Sequence, residues 1–376
     1  MNANLATPAT FRSQHGVTLI ELMVSLVLGL LVTSGVIQIF IANRATYAFN
    51  EGLARLQENG RFSLDALNFN VRMAGYFGCL SGTTVFNNLN SSTTLPFNFA
   101  EGIRGYEGVG SSPANTVVPA SKNPANSANT ADWTPALPAA LVGSAIPNSD
   151  VLVIRNVSAA SHALLSPFVS ATTVTANASA ADYQRGDIGI VSDCQKASVF
   201  EVTNVLATGG GTPTIELSHS NAGTPGNLTA SWGTDQEYSE GAQLMRGETW
   251  VYYIGARPGG GPPALFQRRL QADGATTTSA LVADELVEHA ETMQILYGVD
   301  PGLDGDVDTY VTANNVANWN EVVAVRIGLL MRSPDEYGTE VDSDTYDVNE
   351  TLLNPVDDRR VRQVFTTTIA LRNRLP

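Results

Sequence analysis

Apolar and polar residues follow three regimes along this chain. From Leu22 to Ala42 no charged residue interrupts an apolar run, and one carboxylate, Glu21, stands at its front. That length matches the roughly 20 residues with which a helix crosses a bilayer, and it exceeds the roughly 7 to 15 residue core of a cleaved secretory signal. The run predicts a membrane-inserted helix. A carboxylate at such a place costs on the order of 2 to 3 kcal/mol, so it calls for a partner or a use. In the second regime Leu53, Leu56, Gly60, Leu64, Leu67, Val71 and Ala74 follow at steps of three or four, which is one face of an amphipathic helix lying on a core. No proline occurs between Thr10 and Leu95. The two regimes therefore join into one predicted helix from about Val17 to Ala74, on the order of 85 Å long, with Gly75 and Gly78 as stop signals.

The third regime is strand-like. The runs "DVLVIRNVS", "DIGIVSDC", "ASVFEVTNVLA", "TIELSHS", "ETWVYYIGA", "ALFQRRLQ", "TMQILYGVD", "EVVAVRIGLLMRS" and "VRQVFTTTIALRN" punctuate residues 150–373. In the last, Val361, Phe365, Ile369 and Leu371 fall on one face, with Arg362, Thr366, Thr368 and Arg372 on the other, as a half-buried antiparallel strand requires. "ARPGGGPPALF" between two such runs predicts a hairpin loop. Residues 81–150, rich in Ser, Thr, Asn, Pro, Ala and Gly, read as an extended surface excursion with a few short strands.

Composition changes this picture by exclusion. The 376 residues are ample for a core, and only 15% are charged, with a formal net charge of -15. Such a chain repels phosphate backbones, so no direct nucleic-acid binding is expected. The four histidines lack HExxH-type spacing, two cysteines cannot build a thiolate zinc site, and neither a GK[ST] phosphate loop nor GxSxG occurs. A membrane-anchored periplasmic enzyme therefore has no positive support. Arg12 is the only charged side chain before the apolar run, and it favours a cytoplasmic N-terminus with an exported body. In an exported body the simplest use of Cys79 and Cys194 is one disulfide, worth roughly 4 to 5 kcal/mol in the chain-entropy account. No resident cofactor is expected, with one candidate exception. Asp304, Asp306 and Asp308 alternate in "VDPGLDGDVDTY" with Asp300 upstream, as at the opening of a calcium loop, although the glutamate twelve positions along is missing. The competing reading, and the leading one, is a solvated acidic turn.

The residues Gly16, Val17, Thr18, Leu19, Ile20, Glu21, Leu22 and Met23 resemble the class III signal of type IV prepilins, a short polar leader ending in Gly before (F/M/V)TLIEL and a long apolar helix. The resemblance implies cleavage between Gly16 and Val17 by an inner-membrane prepilin peptidase, N-methylation of Val17, and pairing of Glu21 with the N-terminal ammonium of its own chain or a neighbour. Val17 stands where Phe is commoner, and the leader is longer and less basic than usual. Further along, "YFGCL", "VSDCQKASVFEVT", "GETWVYYIGA", "MQILYGVD", "VVAVRIGLLMRS" and "FTTTIALRNRLP" are similar to the PilW-type minor pilins. The implied fold is α+β and pilin-like, a long N-terminal helix on an antiparallel β-sheet body with elaborated loops. Its parts would be a leader at 1–16, a transmembrane and assembly helix at 17–42, an amphipathic half at 43–78 and an exported body at 79–376. The implied function is pilus assembly at the tip with other minor pilins (PilV, PilX, PilE and FimU types), a PilY-type adhesin and the major pilin. The alternative is a J-type minor pseudopilin of a type II secretion system. The implied route is a single-pass inner-membrane precursor with a periplasmic body, then an extracellular pilus.

Overall fold

In the computed structural model, residues 16–80, 84–119, 121–169, 172–208, 214–229 and 232–373 are described. One α-helix runs from Leu19 to Arg72, and the chain divides into two compact units, 1–51 and 52–376. In the first unit the helix from Leu22 to Ala42 is apolar on all sides and almost wholly exposed, with Leu22, Leu26, Leu30, Ile37 and Phe40 all open. It meets the length and hydropathy of a membrane span.

The second unit begins with the striped part of the helix, where Gly52, Leu56, Gly60, Ser63, Leu67, Asn70 and Val71 are buried. The stripe read from sequence is thus the packed face, widened by two polar residues. Ser63 Oγ donates back to the Asn59 carbonyl (2.8 Å), and Asn70 Nδ2 donates to the Tyr252 hydroxyl (2.5 Å). Each buried polar group is thereby satisfied inside the helix or by the sheet. The helix ends at Arg72 because Gly75, at φ 72°, takes a left-handed conformation that side chains disfavour. Its N–H then turns to the Arg155 carbonyl (2.8 Å).

Leu56, Leu67 and Val71 share one core with Ile103, Ile154, Tyr252, Met293, Ile295, Ile327, Leu329 and Ile369. Part of this core is a four-stranded antiparallel sheet in the order 309–311, 290–299, 322–332, 362–370. A larger sheet of 12 strands centres on 151–169, 243–255 and 188–193. A three-stranded sheet joins 346–348, 351–353 and 116–117. Pairing among described strands is antiparallel except for 85–87 with 197–199 and 116–117 with 352–353.

Three expectations need correction. "ASVFEVTNVLA" is two strands, 196–201 and 204–207, which lie in different parts of the larger sheet. Arg362, read as facing solvent, is buried, because three carboxylates meet it. The tract 81–150 is not a surface excursion. Leu95, Phe97, Phe99, Ile103, Tyr106, Trp133, Leu137, Leu141 and Ile146 are all buried, and Trp133 Nε1 donates to the Ser149 carbonyl (2.8 Å). Large apolar side chains spaced several residues apart carry no period, yet each removes as much surface from water as one on a regular element.

Candidate assembly site

The site begins where the helix begins. Thr18 precedes the first helical residue, and its backbone N–H and hydroxyl both donate to Glu21 Oε2 (3.2 and 3.1 Å), while Thr18 Oγ1 accepts from the Glu21 N–H (3.3 Å). This is a capping box of the T-x-x-E kind, in which the first turn satisfies donors that have no helical partner. Sequence reasoning looked for an ionic role for Glu21 and missed this local one, although Thr18 three residues before a glutamate is its signature. The carboxylate also sits at the positive end of the helix dipole, which favours an anion there. Gly16 has nothing within 4 Å of the place a Cβ would take. The rest of the leader, residues 1–15 with Arg12, lies outside the described residues.

In the body, Cys79 and Cys194 form a disulfide with Cα atoms 4.7 Å apart and a sequence separation of 115. Cys79 lies in the turn after the helix, and Cys194 lies in the hairpin turn between 188–193 and 196–201. That hairpin turn is set by Asp193 Oδ1, which accepts from the N–H groups of Gln195 (3.0 Å) and Lys196 (2.9 Å). The bridge therefore ties the helix exit to a rigid corner of the larger sheet.

Asp304, Asp306 and Asp308 are exposed, and no group of three or more ligating side chains that could hold a metal occurs among the described residues. The loop is organised instead by Asp300, which is buried. Its carboxylate accepts from the N–H of Asp304 (3.3 Å) and Gly305 (2.7 Å), and Asp304 in turn accepts from Asp306 N–H (3.0 Å). The geometry is that of an acidic turn held together by its own backbone donors.

Sequence reasoning also missed a buried ion network. Arg362 pairs with Glu291 (2.8 Å), Asp342 (2.9 Å) and Asp358 (2.8 Å), and Arg332 pairs with the same Glu291 (3.0 Å). Arg332 further donates to the Lys122 carbonyl (2.7 Å) and to Asn123 Oδ1 (2.8 Å). Neutralised in this way, the charges pin residues 334–361 and 122–123 onto the ends of strands 322–332 and 362–370. No signal of period or spacing foretells it, since the partners lie up to 210 residues apart.

A capped, membrane-length apolar helix, continued by a striped half that packs on an antiparallel sheet, makes an α+β fold of the pilin-like class. Residues 251–373 match the family described as Type IV Pilus-assembly protein W (PilW), and residues 11–37 match the prokaryotic N-terminal methylation motif. Together the two matches support a PilW-type minor pilin with a role in pilus assembly, whose precursor is anchored in the inner membrane by its apolar helix. No curated protein and no solved structure matches the chain.

Proposed function

We propose that this chain joins other minor pilins of the PilV, PilX, PilE and FimU types and a PilY-type adhesin in a complex at the pilus tip, which primes polymerisation of the major pilin. The observation that carries the reading is the helix of the first unit, whose apolar residues are exposed on every face, Leu30 at 62% and Phe40 at 68%. Lipid covers such a surface in the precursor. Once the subunit leaves the bilayer, only other apolar helices can cover it. Prepilin peptidase cuts between Gly16 and Val17 and methylates Val17, and Glu21, one turn further on, meets the ammonium of a neighbouring subunit. An ion pair of this kind is favourable where lipid and packed helices exclude water, and it fixes the axial register of the subunits.

The test is co-purification of the full-length chain, in detergent, with each tagged minor pilin and with the adhesin, alongside piliation of a deletion strain. Specific co-purification and loss of surface pili are expected. Normal piliation of the deletion strain would overturn the reading. Loss of type II secretion with intact pili would favour the J-type pseudopilin, against which the match of residues 251–373 already speaks.

A further inference from the structure

The polar tract encloses a cleft of about 570 Å³ between residues 93–106 and 138–140, a size at which small-molecule sites are common. Arg155, on the strand 151–169, lines it and is 1% exposed. Its Nε and Nη2 donate to the Leu95 carbonyl (3.1 and 2.6 Å), and its Nη1 donates to the Glu101 carbonyl (2.9 Å). These partners are neutral and use three of its five donors. Burial lowers the Arg155 pKa to about 10, which leaves it charged at neutral pH.

A second guanidinium, that of Arg104, also lines the cleft. It lies 3.4 Å from Glu101 Oε1 and stacks on the Trp319 ring at 5.3 Å, with its side chain 29% exposed. One carboxylate, Glu101, is therefore set against two guanidinium groups. The cleft keeps a surplus of positive charge in a chain whose net charge is -15, and a buried cation without full compensation favours an anionic ligand. The rest of the lining is mixed. Pro96, Pro138 and Tyr106 offer apolar and aromatic surface, and Thr93 and Asn98 offer a hydroxyl and an amide.

We propose that this cleft binds an acidic saccharide unit, a sugar carrying a carboxylate. The planar fork of Arg104 matches a carboxylate in two-point fashion. Thr93 and Asn98 take ring hydroxyls, and the proline and tyrosine surfaces take the apolar face of the ring. Arg155 is a positioning residue: it fixes the 95–101 segment and adds its field to the site. Phosphate carries the same sign of charge, but it presents neither a ring face nor hydroxyls for this lining.

The test is titration of the full-length chain in detergent micelles with sodium glucuronate, glucose, acetate and inorganic phosphate, followed by calorimetry and thermal shift. Glucuronate is expected to bind saturably at millimolar levels, with glucose and acetate at least about tenfold weaker. Arg104→Gln should weaken glucuronate by about tenfold or more while the unliganded melting temperature moves by no more than about 3 °C. Arg104→Lys should recover part of the loss. Should Arg104→Gln fail to fold, Asn98→Ala provides the same comparison from another side of the cleft. Equal binding of glucose, acetate or phosphate, or affinity undiminished in every folded cleft variant, would overturn the proposal.

Discussion

A single substitution separates the capping role of Glu21 from the register role proposed for it. Glutamine retains an oxygen that accepts from Thr18, so Glu21→Gln keeps the capping box and loses only the charge. We expect Glu21→Gln to be cleaved normally and to be as deficient in piliation as Glu21→Ala, read by immunoblot of sheared pili. Piliation by the glutamine variant at the parental level would leave capping as the sole role. Gly16→Val, by contrast, should accumulate as an uncleaved precursor of higher mass, since a peptidase requires close approach of the backbone. At Glu107 the readout is pH. Burial raises its pKa from the model-compound value of 4.5 to about 7, so the folded state prefers it protonated. Stability from this group is complete below about pH 4.5 and is lost as pH rises through about 7. Chemical denaturation of Glu107→Gln and its parent should therefore agree near pH 4, and the variant should be more stable by on the order of 2 kcal/mol at pH 8.

The amphipathic half of the helix was legible because its period survives in the packed face, from Leu56 through Gly60 and Leu67 to Val71. What a period cannot carry is depth. A Cβ on Gly60 would lie 2.4 Å from the Phe365 ring, so glycine there lets the helix approach the 362–370 strand closely. Gly60→Ala gains about 1 kcal/mol of helix propensity but must displace that ring, at about 1 to 3 kcal/mol. We expect net destabilisation on the order of 1 kcal/mol, relieved by adding Phe365→Leu, in denaturant titrations. Strand 279–288 shows the opposite case. "SALVADELVE" carries three carboxylates and faces solvent at most positions, so it is absent from the strand-like runs of the sequence, yet it pairs along its whole length with 264–272. An edge strand needs backbone partners on one side only, and charge on it is a common guard against edge-to-edge association.

Taken as a whole, the molecule was half visible in its sequence. The helix, most long strands and the disulfide follow from local pattern and cysteine count, while the Arg362 network and the buried aromatics of residues 95–133 depend on contacts that no window of sequence contains. The disulfide spans 115 residues, and Cys79→Ser with Cys194→Ser should lower stability by on the order of 3 to 4 kcal/mol. In the parent, both thiols should resist alkylation until reduction, and finding them free in the unreduced, denatured protein would exclude the bridge. The parallel pairing of 116–117 with 352–353 has a different consequence, one of timing. Ala114 N–H reaches the Glu350 carbonyl, Leu352 N–H reaches Asn115, and Thr351 Oγ1 reaches Ser111, so the 111–117 tract is completed by residues that leave the ribosome long after it. Until that later segment is made, about 230 residues on, the tract must wait unfinished, with parts of its core open to water.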